Sequence, residues 1–342
     1  MKKLLASAIL ALFFSGFTSG AQAAECGTVS IAEMKWPSAG IAAHVDRMVL
    51  EAGYGCSVTL VSGDTIPTFA SMNEKGTPDL APELWANAVR GQLDRAISEG
   101  RLLQMAPILS DGGIEGWWIP KFIADEHRNI RTVEDALKHP ELFPAPGNPE
   151  KGAVHTCPPD WSCRAATDNL FHALNGTAAG FDLISPATPA EFDNSIVHAF
   201  EAKTGWLGYY WAPTALLGKY EMVKLSFGVG HDRTEWERCT AIPDCPDPKV
   251  NSYPISDVFT VVTKRFSQKA AVTMDYMKVR KWDNATIGKV MAWMDENGAT
   301  TEEAARHFFE TYPDLWRTWV TPDVAARIKA ALDEGGKKQG TE

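Results

Sequence analysis

Residues 78–85, P-D-L-A-P-E-L-W, complete an alternating series of strands and helices that decides the fold class. Their apolar residues predict a buried strand, which we expect Pro82 to cut off. Before this segment, the apolar pattern predicts strands at residues 28–33 and 57–61, each followed by a helix, at 40–52 and 66–73. A β-α-β-α-β order predicts an α/β fold in which helices cover both faces of a parallel sheet.

Two tryptophans lie where this sheet is expected to bind ligands. Trp36 follows the first predicted strand, and Trp85 ends the third. Ligands of open parallel sheets bind beyond the carboxyl ends of the strands. The sequence therefore predicts a ligand site at this edge, with both indole rings near it.

The rest of the chain predicts a second lobe inserted into the first. The patterns predict a glycine-rich turn into a strand at residues 111–120, a helix at 131–142 and a Pro/Gly-rich stretch at 143–152. They then predict a strand ended by Pro213 at 206–213 and a last strand at 255–263. The chain is mostly helical beyond them. We expect lobe 1 to span residues 24–116 and 254–342, and lobe 2 to span residues 117–253. Two crossings between lobes form a hinge.

The first 23 residues predict export. Lys2 and Lys3 precede an apolar run at residues 4–17, and Ala21-Gln22-Ala23 is typical of a signal-peptidase site. A transmembrane anchor is the alternative, but spanning takes about 20 apolar residues and this run is shorter. We expect cleavage after Ala23 and a periplasmic location. The remaining 319 residues suffice for two domains.

The charge of the chain excludes some partners. The net charge is −10, and loss of Lys2 and Lys3 leaves 31 basic against 43 acidic residues, a net charge of −12. Such a chain is unsuited to nucleic acid or anionic lipid. We expect a monomer.

All six cysteines follow the predicted cleavage site, as in proteins of oxidising compartments. Two pairs bracket short loops, and the third pair precedes two strands that meet at one sheet edge if they are parallel neighbours. The favoured disulfides join Cys26 to Cys56, Cys157 to Cys163 and Cys239 to Cys245. Fifteen pairings are possible, and a zinc site is the alternative, although the loops lack zinc-ligand spacing.

Motifs of covalent chemistry are absent from the sequence. There is no H-E-x-x-H, G-x-S-x-G, P-loop or dinucleotide fingerprint. We expect neither a metal nor a cofactor, and a binding function rather than an enzyme, which is kept as an alternative.

The twelve tryptophans indicate the ligand class. Four in the helical C-terminal part are expected to pack in the core: Trp282, Trp293, Trp316 and Trp319. The aromatic residues expected to reach the cleft are Trp36, Trp85, Trp117, Trp118, Trp206, Tyr209 and Trp211. A quaternary ammonium or sulfonium has no N–H or S–H to donate, so ring faces must hold it, at about 0.5–2 kcal/mol per contact. Glu115 is a candidate second partner for the positive charge, with a solvated turn carboxylate as the alternative.

At these segments the sequence resembles substrate-binding subunits of glycine betaine/choline-type (quaternary amine) ABC transporters, the OpuAC-like family. The matching motifs are P-D-L-A-P-E-L-W, E-G-W-W-I-P-K, C-P-P-D-W-S-C, and W-L-G-Y-Y-W-A-P-T followed by G-K-Y. The resemblance implies a two-lobed type II periplasmic binding protein fold, with two doubly wound sheets, and delivery of ligand to a membrane permease. It also implies an aromatic box of Trp36, Trp85, Trp118 and Trp211. Trp117, Trp206 and Tyr209 are second choices, since neighbouring strand residues point to opposite faces and only one of Trp117 and Trp118 should face the cleft.

The family resemblance leaves the ligand open. Glycine betaine, proline betaine, choline, carnitine, trimethylamine N-oxide and dimethylsulfoniopropionate are all accepted within this group. Betaines need a partner for their carboxylate, and the matching motifs contain no arginine or lysine placed for it. Trimethylamine N-oxide and choline would tolerate Glu115 better. A neutral or sugar-like ligand is the alternative.

Overall fold

A computed structural model describes residues 26–159, 161 and 163–339. The strands are β1 (Thr28–Met34), β2 (Ser57–Gly63), β3 (Leu80–Trp85), β4 (Leu102–Pro107), β5 (Ile114–Pro120), β6 (Pro144–Ala145), β7 (Asn148–His155), β8 (Phe181–Ile184), β9 (Gly208–Ala212), β10 (Met222–Lys224) and β11 (Val258–Thr263). The helices are α1 (Pro37–Met48), α2 (Thr65–Lys75), α3 (Arg90–Ser98), α4 (Lys121–Glu126), α5 (Val133–Ala136), α6 (Cys163–Ala173), α7 (Pro189–Ala202), α8 (Ala215–Lys219), α9 (Arg233–Glu235), α10 (Lys264–Lys269), α11 (Met274–Val279), α12 (Asn284–Asn297), α13 (Thr301–Thr311), α14 (Pro313–Trp316) and α15 (Pro322–Gln339). The predicted signal peptide lies outside the described residues.

The first sheet has the strand order β2-β1-β3-β11-β4. β1 pairs in parallel with β2 and β3, as the alternating pattern predicts. β11 runs antiparallel between β3 and β4. Val258 at the start of β11 pairs with Trp85 at the end of β3. The chain coming back from lobe 2 thus enters the sheet where β3 ends, and β11 runs antiparallel to β3. We call this sheet and the helices packed on it lobe 1.

Pro82 does not end the third strand, contrary to the prediction, because β3 continues to Trp85. A proline has no N–H for the ladder and is tolerated at irregularities. The pairing of β11 with β3 shifts register between Phe259 and Val261, next to the proline. The Thr260 hydroxyl donates to the Pro82 carbonyl at 3.0 Å. At this bulge the strand pairing tolerates the absence of a backbone N–H at Pro82.

The second sheet has the order β10-β5-β9-β7-β6, with β8 paired to β7. It forms lobe 2 with its helices. β5 and β9 are antiparallel, and Ile114 at the start of β5 pairs with Ala212 at the end of β9. The end of β9 therefore lies beside the point where the chain enters lobe 2.

One prediction within this lobe is wrong. The helix expected at residues 131–142 is only the single turn α5, followed by a 3-10 turn at Pro140–Leu142. Pro140 has no N–H to continue an α-helix and disfavours helical geometry at the residue before it. The Pro/Gly-rich stretch at 143–152 contains β6 and the beginning of β7. Its Gly147 adopts a positive φ of 76° and makes the turn between these strands.

Each sheet has its own apolar core. Trp282, Trp316 and Trp319 are buried in the core of lobe 1, as predicted. Trp293 is half-buried and stacks on His307, with ring centroids 3.9 Å apart.

Three disulfides join the cysteines as predicted: Cys26 to Cys56, Cys157 to Cys163 and Cys239 to Cys245. The first connects the beginnings of β1 and β2, where Thr28 is paired with Ser57. Parallel pairing of these strands brings both cysteines to one edge, which is the geometry that the sequence argument required.

The two connections between the sheets are hydrogen-bonded to each other. Gly113 N–H donates to the Ser256 carbonyl at 2.8 Å, and Ser256 N–H donates back at 2.9 Å. A side chain at Gly113 would overlap the six-membered ring of Trp85. The hinge therefore touches a tryptophan at the end of β3. None of the described helices combines the length and the apolar composition that a membrane-spanning helix needs.

Candidate ligand-binding site

A cavity of about 640 Å³ lies between the two sheets and receives side chains from both lobes. Lobe 1 contributes residues from the beginning of α1, the end of β3, α2 and α12. Lobe 2 contributes residues from α7, β9 and α8. The lining residues with aromatic or charged side chains are Trp36, Trp85, Asp193, Tyr210, Trp211, Lys219, Tyr220 and Asp295.

Trp36 and Trp85 form the lobe 1 side of the cavity. Trp36 directly precedes α1, which opens with Pro37 at its first position. Trp85 is the last residue of β3. Both rings are half-buried, and both residues lie at the carboxyl-end edge of the parallel strands, where the β-α-β pattern predicts them.

One buried carboxylate holds both of these rings. The indole N–H groups of Trp36 and Trp85 donate to Glu83 Oε1 at 2.6 and 3.1 Å. The Ser38 hydroxyl donates to the same oxygen at 2.9 Å. Glu83 is fully buried, and its burial raises the pKa of the carboxyl, while these three donors oppose that rise. The two indole N–H groups therefore point at Glu83 and are not available to a ligand carboxylate.

Tyr210 and Trp211 form the lobe 2 side at the end of β9. The Tyr210 hydroxyl donates to Asp193 Oδ1 on α7 at 2.7 Å. Trp211 is half-buried and packs edge-to-face against Trp161, with centroids 5.2 Å apart. Tyr220 extends the aromatic lining beyond α8. Aromatic rings thus reach the cavity from both lobes.

The charges at the cavity are mainly negative. Asp193 and Asp295 both line it. Burial raises the pKa of Asp193, while the hydroxyl of Tyr210 opposes that rise. The one lysine in the lining, Lys219, forms an ion pair with Glu296 at 3.3 Å.

Trp117 and Trp118 lie in the core of lobe 2 and do not line the cavity. β5 begins at the hinge and runs away from the cleft, so each residue lies about 3.3 Å deeper than the one before. Trp117 is paired with Tyr209, also buried, and Trp118 donates its N–H to the Tyr210 carbonyl at 2.9 Å. Whichever way their side chains point, both tryptophans are already inside the lobe.

Trp206 and Glu115 are also withdrawn from the cavity. Trp206 is buried, stacks on His155 and donates its N–H to the Ser195 hydroxyl at 2.9 Å. Glu115 lies within β5 and accepts a hydrogen bond from the Tyr209 hydroxyl at 2.7 Å. Its burial raises the pKa of the carboxyl, opposed by that hydrogen bond and by the charge of Lys224. Glu115 is thus part of a strand rather than of a solvated turn.

Sequence reasoning missed Glu83, Asp193, Tyr210, Tyr220 and Asp295. The position of Glu83, two residues before Trp85, places both side chains on one face of a strand, and this signal was available. Tyr210 lies in the motif W-L-G-Y-Y-W-A-P-T, beside the candidate Tyr209. The two aspartates lie on helices whose sequences carry no motif, and only the packing of those helices brings them to the cleft.

A family model described as the substrate binding domain of ABC-type glycine betaine transport system matches residues 27–311. The chain belongs to this family. The predicted resemblance is thereby confirmed. The family consists of transporter binding proteins rather than enzymes.

Solved structures related to this glycine betaine family member have the same fold. The glycine betaine/L-proline-binding protein of Borrelia burgdorferi is 15% identical, with a TM-score of 0.55 over 88% of this chain and 99% of that one. A choline binding protein in complex with choline is 15% identical, with a TM-score of 0.53 over 90% and 98% of the two chains. Lactococcal OpuAC with glycine betaine is 16% identical, with a TM-score of 0.54 over 86% and 100%. The two-lobed type II fold is confirmed. A comparison with curated protein sequences finds no match.

Proposed function

We propose that this protein is the periplasmic substrate-binding subunit of an ABC importer for a small methylated ammonium or sulfonium compound. The ligand is held among aromatic rings between the lobes and is delivered to the membrane permease. The observation that carries this proposal is the inter-lobe cavity lined by Trp36, Trp85, Tyr210 and Trp211.

The chemistry of such a ligand matches the lining. A methylated cation offers no donors, and each ring face attracts it by about 0.5–2 kcal/mol, with the larger values at desolvated sites. Rings supplied by both lobes enclose the ligand only while the lobes are together. Binding is thereby linked to closure of the hinge.

The charges favour a ligand without a carboxylate. Asp193 and Asp295 would repel one, and Lys219 is already paired with Glu296. The indole N–H groups of Trp36 and Trp85 are occupied by Glu83. Choline, whose hydroxyl can donate to a carboxylate, therefore suits this cavity better than glycine betaine does, and choline is the ligand that we propose to test first.

Calorimetric titration of the purified protein tests this function. Choline, trimethylamine N-oxide, dimethylsulfoniopropionate and glycine betaine are titrated separately, with tryptophan fluorescence as a second signal. We expect one-to-one saturable binding, tighter for choline than for glycine betaine. Absence of binding by every methylated compound would contradict the proposal, as would competition by neutral sugars but not by tetramethylammonium.

A further inference from the structure

Glu83 is a buried carboxyl of which only one oxygen has hydrogen-bond partners among the described residues. It has none of its surface exposed. Oε1 accepts three hydrogen bonds, but Oε2 is buried without a hydrogen-bond partner among the described residues. An unpaired charge in such a place is costly, and buried charges are ordinarily paired.

The nearby buried cation is already used by another carboxylate. Arg280 is fully buried and bonds to Asp46 Oδ2 at 2.7 Å, and Asp46 also accepts from the Tyr276 hydroxyl. The charge of Arg280 still acts on Glu83 and opposes the rise in its pKa. In this part of lobe 1 only Asp46 is hydrogen-bonded to Arg280, so when both carboxyls are ionised they carry one more negative charge than the guanidinium balances.

The hydrogen bonds of Glu83 lead from this excess charge to the cavity. Two of the three come from indole N–H groups whose rings line it. A negative acceptor at the N–H edge pushes electron density towards the ring, and the attraction of a ring face for a cation rests on its negative potential. The carboxylate field itself adds to that attraction, because a low-dielectric interior screens it little.

We infer that Glu83 is a specificity-determining residue of the cavity: bonded to both lobe 1 tryptophans, it makes the site select a positively charged ligand over an uncharged ligand of the same shape. The bound cation is then the missing counter-charge of the carboxylate. This inference rests on the proposed function, and it adds a positioning residue that does not itself line the cavity.

A comparison of choline with its uncharged carbon analogue, 3,3-dimethyl-1-butanol, tests the inference. The two have the same shape, so the ratio of their affinities isolates the effect of charge. In Glu83→Gln the ratio should fall at least about tenfold, mainly through weaker choline binding. Asp79→Asn is the matched control, because Asp79 is a buried carboxylate of the same segment that bonds to Ser30 and Arg265 and does not line the cavity. Its ratio should equal that of the native protein.

A second variant covers the case in which Glu83→Gln does not fold. Trp85→Phe keeps a ring but removes the N–H that joins it to Glu83, and should lower the ratio several-fold. Where Glu83→Gln does fold, the effect of Trp85→Phe should shrink in the double variant, because the two residues act through one hydrogen bond.

The outcomes separate the two claims. Native protein that binds choline while Glu83→Gln keeps the native ratio, or loses affinity for both ligands equally, would overturn the inference and leave the proposed function standing. Where Glu83→Gln does not fold, an unchanged ratio in Trp85→Phe would overturn it in the same way. Native protein that binds no methylated compound would overturn both.

Discussion

Trp211 gives the cleanest test of the proposed cage, by which we mean the rings of Trp36, Trp85, Tyr210 and Trp211 around the cavity. Its ring is not hydrogen-bonded to Glu83, unlike those of Trp36 and Trp85. It lines the cavity from β9 and packs against the edge of Trp161. Under the proposed function, replacing it with alanine removes a cation–π contact with the ligand and opens the lobe 2 wall. We expect Trp211→Ala to weaken choline binding at least about tenfold, or ~1.4 kcal/mol, by calorimetry.

Trp236→Ala serves as the control for that variant. Trp236 is also half-buried in lobe 2, but it packs on Tyr253 and His231 and does not line the cavity. Its removal should leave the affinity for choline near the native value. Equal losses in the two variants would indicate a general effect on the lobe and remove Trp211 from the site.

Because the Asp193 carboxyl lines the cavity, we expect choline binding to depend on pH. Its ionised carboxylate attracts a cation, and burial raises its pKa above the ordinary 3.8. Choline affinity should therefore be highest at neutral pH and fall as the pH drops through the raised value, where Asp193 takes up a proton. Glu83, whose pKa is also raised, changes in the same direction.

Two variants isolate the part due to Asp193. Asp193→Asn should bind choline more weakly at neutral pH and lose less affinity on acidification. Tyr210→Phe removes the hydroxyl that stabilises the carboxylate, so the loss of affinity should begin at a higher pH than in the native protein. Binding curves from neutral to acidic pH would measure both, and parallel curves for the native protein and Asp193→Asn would exclude this role.

At the scale of elements, the strand pairing of lobe 2 explains how far the sequence predicts the site. The positions of Trp36 and Trp85 follow from the β-α-β pattern, because the ends of parallel strands meet at one edge. Those of Trp117 and Trp211 do not, since both lie in strands of the same lobe. Only the antiparallel register, in which Ile114 is paired with Ala212, decides that Trp211 reaches the cleft while Trp117 is buried.

Positions that depend on tertiary packing could not be predicted for the helices either, whereas two of the disulfides could be predicted from local spacing. Local spacing gave the Cys157–Cys163 and Cys239–Cys245 loops, which need no tertiary information. The helix expected at residues 131–142 is absent because Pro140 cannot continue an α-helix, an effect that the apolar periodicity does not show. Asp193 reaches the cavity through the packing of α7, a long-range fact with no local signal.

Helices α8 and α12 meet across the cleft at two glycines. A side chain at Gly218 on α8 would overlap the backbone at Gly288 on α12. Both helices also line the cavity, α8 through Leu216 and α12 through Met291. Gly218→Ala should push the helices apart and weaken choline binding about tenfold, with all cage rings still in place.

Gly91→Ala is the matched control for that contact. Gly91 lies in α3, where an added methyl group meets nothing within 4 Å. Alanine is the better helix former there, and should raise stability by about 0.5–1 kcal/mol without changing affinity. Thermal unfolding and calorimetry on both variants make the comparison. Native affinity in Gly218→Ala would mean that the close approach of α8 and α12 is not needed for binding.

At the scale of the whole molecule, ligand binding should change both stability and shape. Because the cavity takes Trp36 and Trp85 from lobe 1 and Tyr210 and Trp211 from lobe 2, a ligand reaches all its contacts only when the lobes are together. Choline at a hundred times its Kd should stabilise the native state by about 2.7 kcal/mol, seen as a higher Tm. It should also reduce the radius of gyration measured by X-ray scattering, since closure at the hinge removes open conformers.

The two readouts together distinguish closure from binding to one lobe. A ligand held by lobe 1 alone would raise the Tm without compaction, because mass action needs no hinge movement. Trp211→Ala supplies the decisive comparison, since it keeps the lobe 1 rings and removes a contact from lobe 2. If closure is coupled to the cage, this variant at the same choline concentration should show both a smaller rise in Tm and less compaction. A native-like decrease in its radius of gyration would mean that lobe 2 closes for reasons other than its contact with the ligand.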